Sequence, residues 1–239
     1  MLMAVAGACR TLEEARRVTQ AHLRTPARGE DVPEMQEEAM HQGTRVAAVL
    51  AAAALTITMP AAQAAKDSTA DGTGDVWSVT WDESTASEPE PVPSTKSVNV
   101  DLTKTVVTHG PKAIRVVAHY VNLKKTGDGF NFVVYTRDNK GRKTWSSVLV
   151  EPPRWRGFSI LMTRDSYGCK RFRHTIDYAA NTITTRAPRR CMGKPRWIKY
   201  KALAQSWTMI DESSGTWFVD DARSDQAVPK GWSGRIRRG

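Results

Sequence analysis

Residues 169–191 read CKRFRHTIDYAANTITTRAPRRC. Phe172, His174, Ile176 and Tyr178 alternate with Arg171, Arg173, Thr175 and Asp177, the period-2 pattern of a strand with one buried face. Ala179-Ala180-Asn181 is a candidate tight turn, since asparagine tolerates a left-handed backbone. Thr182 to Ala187 then forms the returning strand. A turn centred on Ala180 puts Cys169 and Cys191, each 11 residues away, opposite one another. Opposed antiparallel residues have Cα atoms about 4.5–5.5 Å apart, within disulfide reach. With no C-x-x-C spacing, two cysteines are too few for a structural zinc site. The stretch is therefore expected to be a hairpin closed at its base by Cys169–Cys191.

Outward from this bracket the same pattern recurs. Val98 to Val107, Ala113 to Val121, Phe130 to Arg137, Lys143 to Val150 and Gly157 to Met162 read as strands on one side. Trp197 to Leu203, Thr216 to Val219 and Gly234 to Arg237 follow on the other. Asp138-Asn139-Lys140-Gly141 is a hairpin signal with glycine where a left-handed residue is wanted. No amphipathic helix of useful length appears after residue 66. Many short strands separated by turn signals predict an all-β antiparallel sandwich, Ig-like or jelly-roll, with a β-barrel-like closure as the alternative. The sandwich domain is expected over residues 96–239. Residues 66–95 are expected to be a flexible arm holding one strand, in which Trp77, Val79 and Trp81 share a buried face.

The beginning of the chain has a different composition. Met40 to Arg45 is short and basic, Val46 to Met59 is uncharged and alanine-rich, and Ala62-Gln63-Ala64 fits an A-x-A cleavage pattern. These three parts predict a secretory signal peptide over residues 40–65. The apolar run is shorter than the ~20 residues that span a bilayer. A retained anchor and a buried alanine-rich helix are the alternatives. A signal peptide at Met40 leaves residues 1–39, with Cys9, upstream of the functional chain. From Lys66 onward there are 29 basic against 18 acidic residues, a balance of +11. Such an excess favours polyanionic partners. Secretion also favours pairing of Cys169 with Cys191.

Candidate chemistry is sparse. No serine lies in a G-x-S-x-G elbow. His119 lies in a proposed central strand, within range of Asp101 on the preceding one, and is read as a hydrogen-bonded core histidine or a catalytic remnant. His174 is read as a core or edge histidine. Asp220, Asp221 and Asp225 form an oxygen-rich group of the kind that holds calcium, and Asp71-Gly72-Thr73-Gly74-Asp75 is a second such stretch. Lys170, Arg171 and Arg173 with Arg186, Arg189 and Arg190 place cations on the outer side of the bracketed hairpin. Trp197, like Trp155 and Trp232, lies beside arginines or glycines where an exposed indole could stack on a sugar ring.

Pro188 to Ile198, with its Pro–basic–Cys–small–Pro–aromatic order after an upstream cysteine, resembles a segment of secreted proteins from high-GC Gram-positive bacteria (actinobacteria). Asp177-Tyr178 and Val219-Asp220-Asp221 share the likeness, which covers roughly Val98 to Arg223. The resemblance implies a β-sandwich, a disulfide and secretion, and implies no catalytic residue. The leading expectation is a secreted or wall-associated, non-catalytic binding module whose basic face meets an anionic wall polymer, lipid headgroups or extracellular DNA. A hydrolase with an unrecognised site and a structural or accessory domain are the other two readings.

Overall fold

The computed structural model describes residues 64–84, 89–163, 166–224 and 231–239. Nearly all of the expected signal peptide lies outside these residues, as do Cys9 and Asp225. Among them the chain is built of strands: β1 (Ala65–Ala70), β2 (Trp77–Asp82), β3 (Val92–Pro93), β4 (Leu102–His109), β5 (Ala113–Tyr120), β6 (Gly129–Asp138) and β7 (Lys143–Glu151). There follow β8 (Arg154–Thr163), β9 (Ser166–Tyr167), β10 (Arg173–Asp177), β11 (Thr182–Pro188), β12 (Trp197–Met209), β13 (Ser214–Asp221) and β14 (Ile236–Arg237), with a 3-10 turn at Arg189–Met192. No described helix is long and apolar enough to cross a membrane.

The strands form two sheets whose ladders are all antiparallel. One has five strands in the order β1-β4-β5-β11-β10, and the other has nine, in the order β3-β2-β13-β12-β6-β7-β8-β9 with β14 beside β12. The alternation read from the sequence builds the layer between them. Leu102, Val107, Ile114, Val116, Ala118 and Ile183 from the smaller sheet meet Phe130, Phe132, Val134, Val148, Val150 and Tyr200 from the larger. Tyr120 packs edge-on against Phe132, with ring centroids 6.5 Å apart. The Asp138 turn forms as expected. Its Oδ1 accepts the Lys140 and Arg142 amides, and Gly141 takes φ +76°.

Two expectations need correction. Residues 66–95 are not a free arm: β1 pairs with β4 from Ala65↔His109 to Ala70↔Lys104, and β2 pairs with β13. The polar composition misled because β1 is an edge strand whose inward residues are Ala65, Asp67 and Thr69: Ala65 packs against the core, and the other two make polar contacts. Thr69 shares a hydrogen bond with the Tyr200 hydroxyl and accepts one from Arg223.

The second correction concerns register. The bracketed hairpin pairs Arg173 with Arg186 and Asp177 with Thr182, one residue off the expected register. Asp177 Oδ1 accepts the amides of both Ala179 and Ala180, and Asn181 takes φ +51°, so the loop has four residues, 178–181. The cysteines therefore lie beyond the ladder. Cys169 sits in the turn before β10 and Cys191 in the 3-10 turn, yet their Cα atoms are 6.1 Å apart and they are disulfide-bonded.

The strand expected within residues 66–95 forms as β2. Trp77, Val79 and Trp81 share its partly buried face, which is turned away from the smaller sheet. Val79 aligns with Trp217 and Trp207, while Ser78 aligns with Phe218, Ser206 and core residue Phe130. Val79, Val133, Leu203 and Trp207 are buried in this second, outer apolar layer. A Cβ on Gly129 would collide with the Trp207 indole, so glycine is required there.

Candidate functional site

Two groupings of charged side chains emerge, one on each side of the smaller sheet. The first is on its outer face. Strand register carries one row across all five strands: Lys66 on β1, Thr108 on β4, Arg115 on β5, Arg186 on β11 and Arg173 on β10. Lys66, Arg115, Arg186 and Arg173 are exposed. Adjacent strands lie about 4.8 Å apart, so three guanidinium groups spring from neighbouring positions within ~10 Å. Like charges directly opposed across a ladder repel. No carboxylate forms an ion pair with Arg115, Arg173 or Arg186 among the described residues. Among the described residues the Arg173 guanidinium donates to the Lys170 and Phe172 carbonyls, at 2.6 and 3.0 Å. Two residues further along, Val106, Val117, Thr184 and Thr175 give a neutral row.

The other predicted cations divide. Lys170 and Arg171 in the turn before β10, and Arg190 on the 3-10 turn, are exposed. Arg189 is buried, and its Nη1 and Nη2 donate to the carbonyls of Pro111 and Pro195 at 2.9 and 2.6 Å. It clamps the 3-10 turn against the β4–β5 turn and does not face solvent. Trp197 belongs to the larger sheet and lies under the Arg235 guanidinium, 4.7 Å from its ring centroid. Trp155 packs against the core. Lys66 and Arg115 were missed in the sequence because one lay in a supposed arm and the other in a strand read as central. The visible signal was Arg115 alternating with Ile114 and Val116.

The histidines do not form a site. His119 lies on the outer face, in register with Lys104 and Thr182. Partial burial, then the Lys104 charge, holds its pKa below the ordinary value. Asp101 is buried and accepts the Gly74 amide instead, at 2.9 Å, so the expected His119–Asp101 pair is not made. His174 Nε2–H donates to the Arg156 carbonyl at 2.7 Å and the Tyr178 hydroxyl donates to the Trp155 carbonyl at 2.6 Å. Both bonds tie β10 of one sheet to β8 of the other.

The second grouping unites the two oxygen-rich stretches seen in the sequence. Residues 71–76 carry the chain from β1 in the smaller sheet to β2 in the larger. Asp71 extends the β1 ladder through its amide to the Thr103 carbonyl, 3.0 Å. Gly74, at φ +78°, turns its amide to Asp101 Oδ2. Asp220, on the inward face of β13, accepts the Leu102 amide at 2.6 Å through Oδ2. Asp71, Asp75 and Asp220 each present a carboxylate oxygen within 4.8 Å of the others. Burial, then the charges of Asp220, Asp75 and Asp221, raises the Asp71 pKa to about 8. Burial also lifts Asp220 to about 8, against the downward pull of the Leu102 amide. Asp221 ends β13 on the opposite face, aligned with Leu203, and is buried there.

No protein-family model, curated protein or solved structure matches the chain.

Proposed function

We propose that this chain is a secreted, non-catalytic binding module that holds an anionic extracellular polymer against the outer face of its five-stranded sheet. The observation that carries the reading is the Arg173–Arg186–Arg115 row, continued by Lys66. Opposing three arginines with no carboxylate partner among the described residues costs stability, and an external polyanion turns that repulsion into attraction. A repeating anionic chain such as a phosphate-linked wall polymer meets such a row at several points, and releases counterions as it does so. The disulfide and the A-x-A pattern at Ala62-Gln63-Ala64 support an oxidising, extracellular setting, as does the resemblance to secreted actinobacterial proteins.

The test is binding of the full chain to a polyglycerol-phosphate wall polymer, measured by calorimetry from 50 to 300 mM NaCl. Affinity is expected to fall steeply with salt. The triple variant R115E/R173E/R186E is expected to lose binding while its thermal unfolding stays close to wild type. Binding insensitive to salt and to the triple variant would refute the reading.

A further inference from the structure

We propose that Asp71, Asp75 and Asp220, backed by Asp101, bind a hard divalent cation, calcium above all, and that the bound ion fastens the 71–76 crossover to the end of β13.

Geometry comes first. Two oxygens on opposite sides of a calcium ion, each about 2.4 Å from it, lie ~4.8 Å apart. The three carboxylates fall within that limit. Magnesium, at about 2.0–2.1 Å, would draw the oxygens to within ~4.2 Å and demands octahedral order. Zinc prefers nitrogen and sulfur ligands; no histidine or cysteine joins the group. The three aspartates come from two segments, 71–75 and 220, which the fold alone brings together.

Two buried oxygens outside the triad, on Asp101 and Tyr120, also lack partners. Asp101 is 2% exposed and Tyr120 is 5% exposed. Asp101 Oδ1 and the Tyr120 hydroxyl are buried without a hydrogen-bond partner, as is Asp220 Oδ1. Asp101 lies close enough to Asp75 and Asp220 for their charges to act on one another, and the Asp220 charge reaches Tyr120. Buried polar oxygens are almost always satisfied, and each exception calls for an explanation such as an ion. No lysine or arginine forms an ion pair with Asp71, Asp101 or Asp220 among the described residues. Arg223 pairs with Asp67, on β1. A divalent cation supplies both the missing positive charge and the missing partners.

Asp75 shows how the loop is shaped for this. A Cβ on Gly72 would lie 3.0 Å from Asp75 Oδ2, so the carboxylate curls back over the bare glycine. The loop thereby turns Asp71 and Asp75 to the same side.

The experiment uses the full chain, stripped with EDTA and exchanged into buffer at pH 8 of fixed ionic strength. Titration with CaCl2 is expected to give one ion per chain. Thermal unfolding in 5 mM CaCl2 is expected to rise by about 3–6 °C, as for an extracellular site of 0.1–1 mM affinity, with a smaller rise in MgCl2. Asp75→Asn alters a half-buried loop residue and is expected to keep its unfolding temperature in EDTA while losing the calcium rise. Asp220→Asn retains an oxygen for the Leu102 amide, and is expected to raise the unfolding temperature in EDTA while also losing the calcium rise. The proposal is overturned if CaCl2 gives neither heat nor a shift on the wild-type chain. It is equally overturned if the shift survives in both variants, because the ion then sits elsewhere.

Discussion

Two of the regions where the chain crosses between its sheets are secured in opposite ways. At one, Cys169 stands where the chain passes from β9 to β10 and Cys191 where it passes from β11 to β12. A covalent bond joins the two passages, and the cations around them, Lys170, Arg171 and Arg190, point to solvent. At the other, residues 71–76 pass from β1 to β2 and meet Asp101 and Asp220. Here like charges are buried together. The disulfide is complete in itself, whereas the aspartate crossing buries acid groups that a proton, or the cation proposed above, would neutralise. The contrast separates a constitutive staple from a conditional one.

Removing the constitutive staple should have the largest effect. Cys169→Ser/Cys191→Ser opens a loop of 22 residues' separation and is expected to cost about 3–3.5 kcal/mol on the chain-entropy account, read as a shift in urea midpoint. Arg189→Ala comes next. It strips donors from the Pro111 and Pro195 carbonyls and is expected to cost about 2–3 kcal/mol, as for hydrogen bonds made by a buried charge. Arg190→Ala, one residue away and exposed, should stay within about 0.5 kcal/mol. Equal losses at the two arginines would erase the distinction between clamp and surface cation.

The conditional staple should show itself in pH dependence. Asp71 and Asp220 have folded-state pKa values raised to about 8 from 3.8, so the folded state holds protons that the unfolded chain has released. Their contribution is full at low pH and is lost as pH rises through about 8. His109 works the other way. Burial holds its pKa below the ordinary 6.5, so it costs stability as pH falls below that value. Between pH 6.5 and 9 in EDTA, stability is therefore expected to fall, and Asp220→Asn to flatten the fall. A wild-type midpoint that rises over this range would contradict the shared burial of the carboxylates. The smallest effect on stability belongs to the outer row. Arg115→Gln/Arg186→Gln is expected to leave unfolding within about 0.5 kcal/mol of wild type or to raise it, since it relieves a cross-strand repulsion. A large loss would mean that these arginines hold the sheet together.

Much of the fold was legible because strands declare themselves by a period of two. β5, β6, β7 and β10 fall where alternation put them, and the Asp138 turn follows from its asparagine and glycine. β1 was hidden because an edge strand with Asp67 and Thr69 inward lacks the apolar signal. The basic residues of the hairpin were legible as charges, but their alignment with Arg115 and Lys66 was not. Lys66 and its neighbour Thr108 lie 42 residues apart in the chain, and Arg115 and Arg186 lie 71 apart, and no local pattern encodes that register.

By itself the sequence determined the local facts: an all-β chain, a basic balance, a turn at Ala179–Asn181 and two cysteines close enough to bridge. Alternation and turn chemistry act over a few residues, so they can be read in one dimension. Tertiary structure alone decided which face is outer, that Asp177 lengthens the turn by capping two amides, that Arg189 is a clamp, and that Asp71, Asp75 and Asp220 converge. These depend on desolvation and strand order, which exist only once the two sheets close on one another.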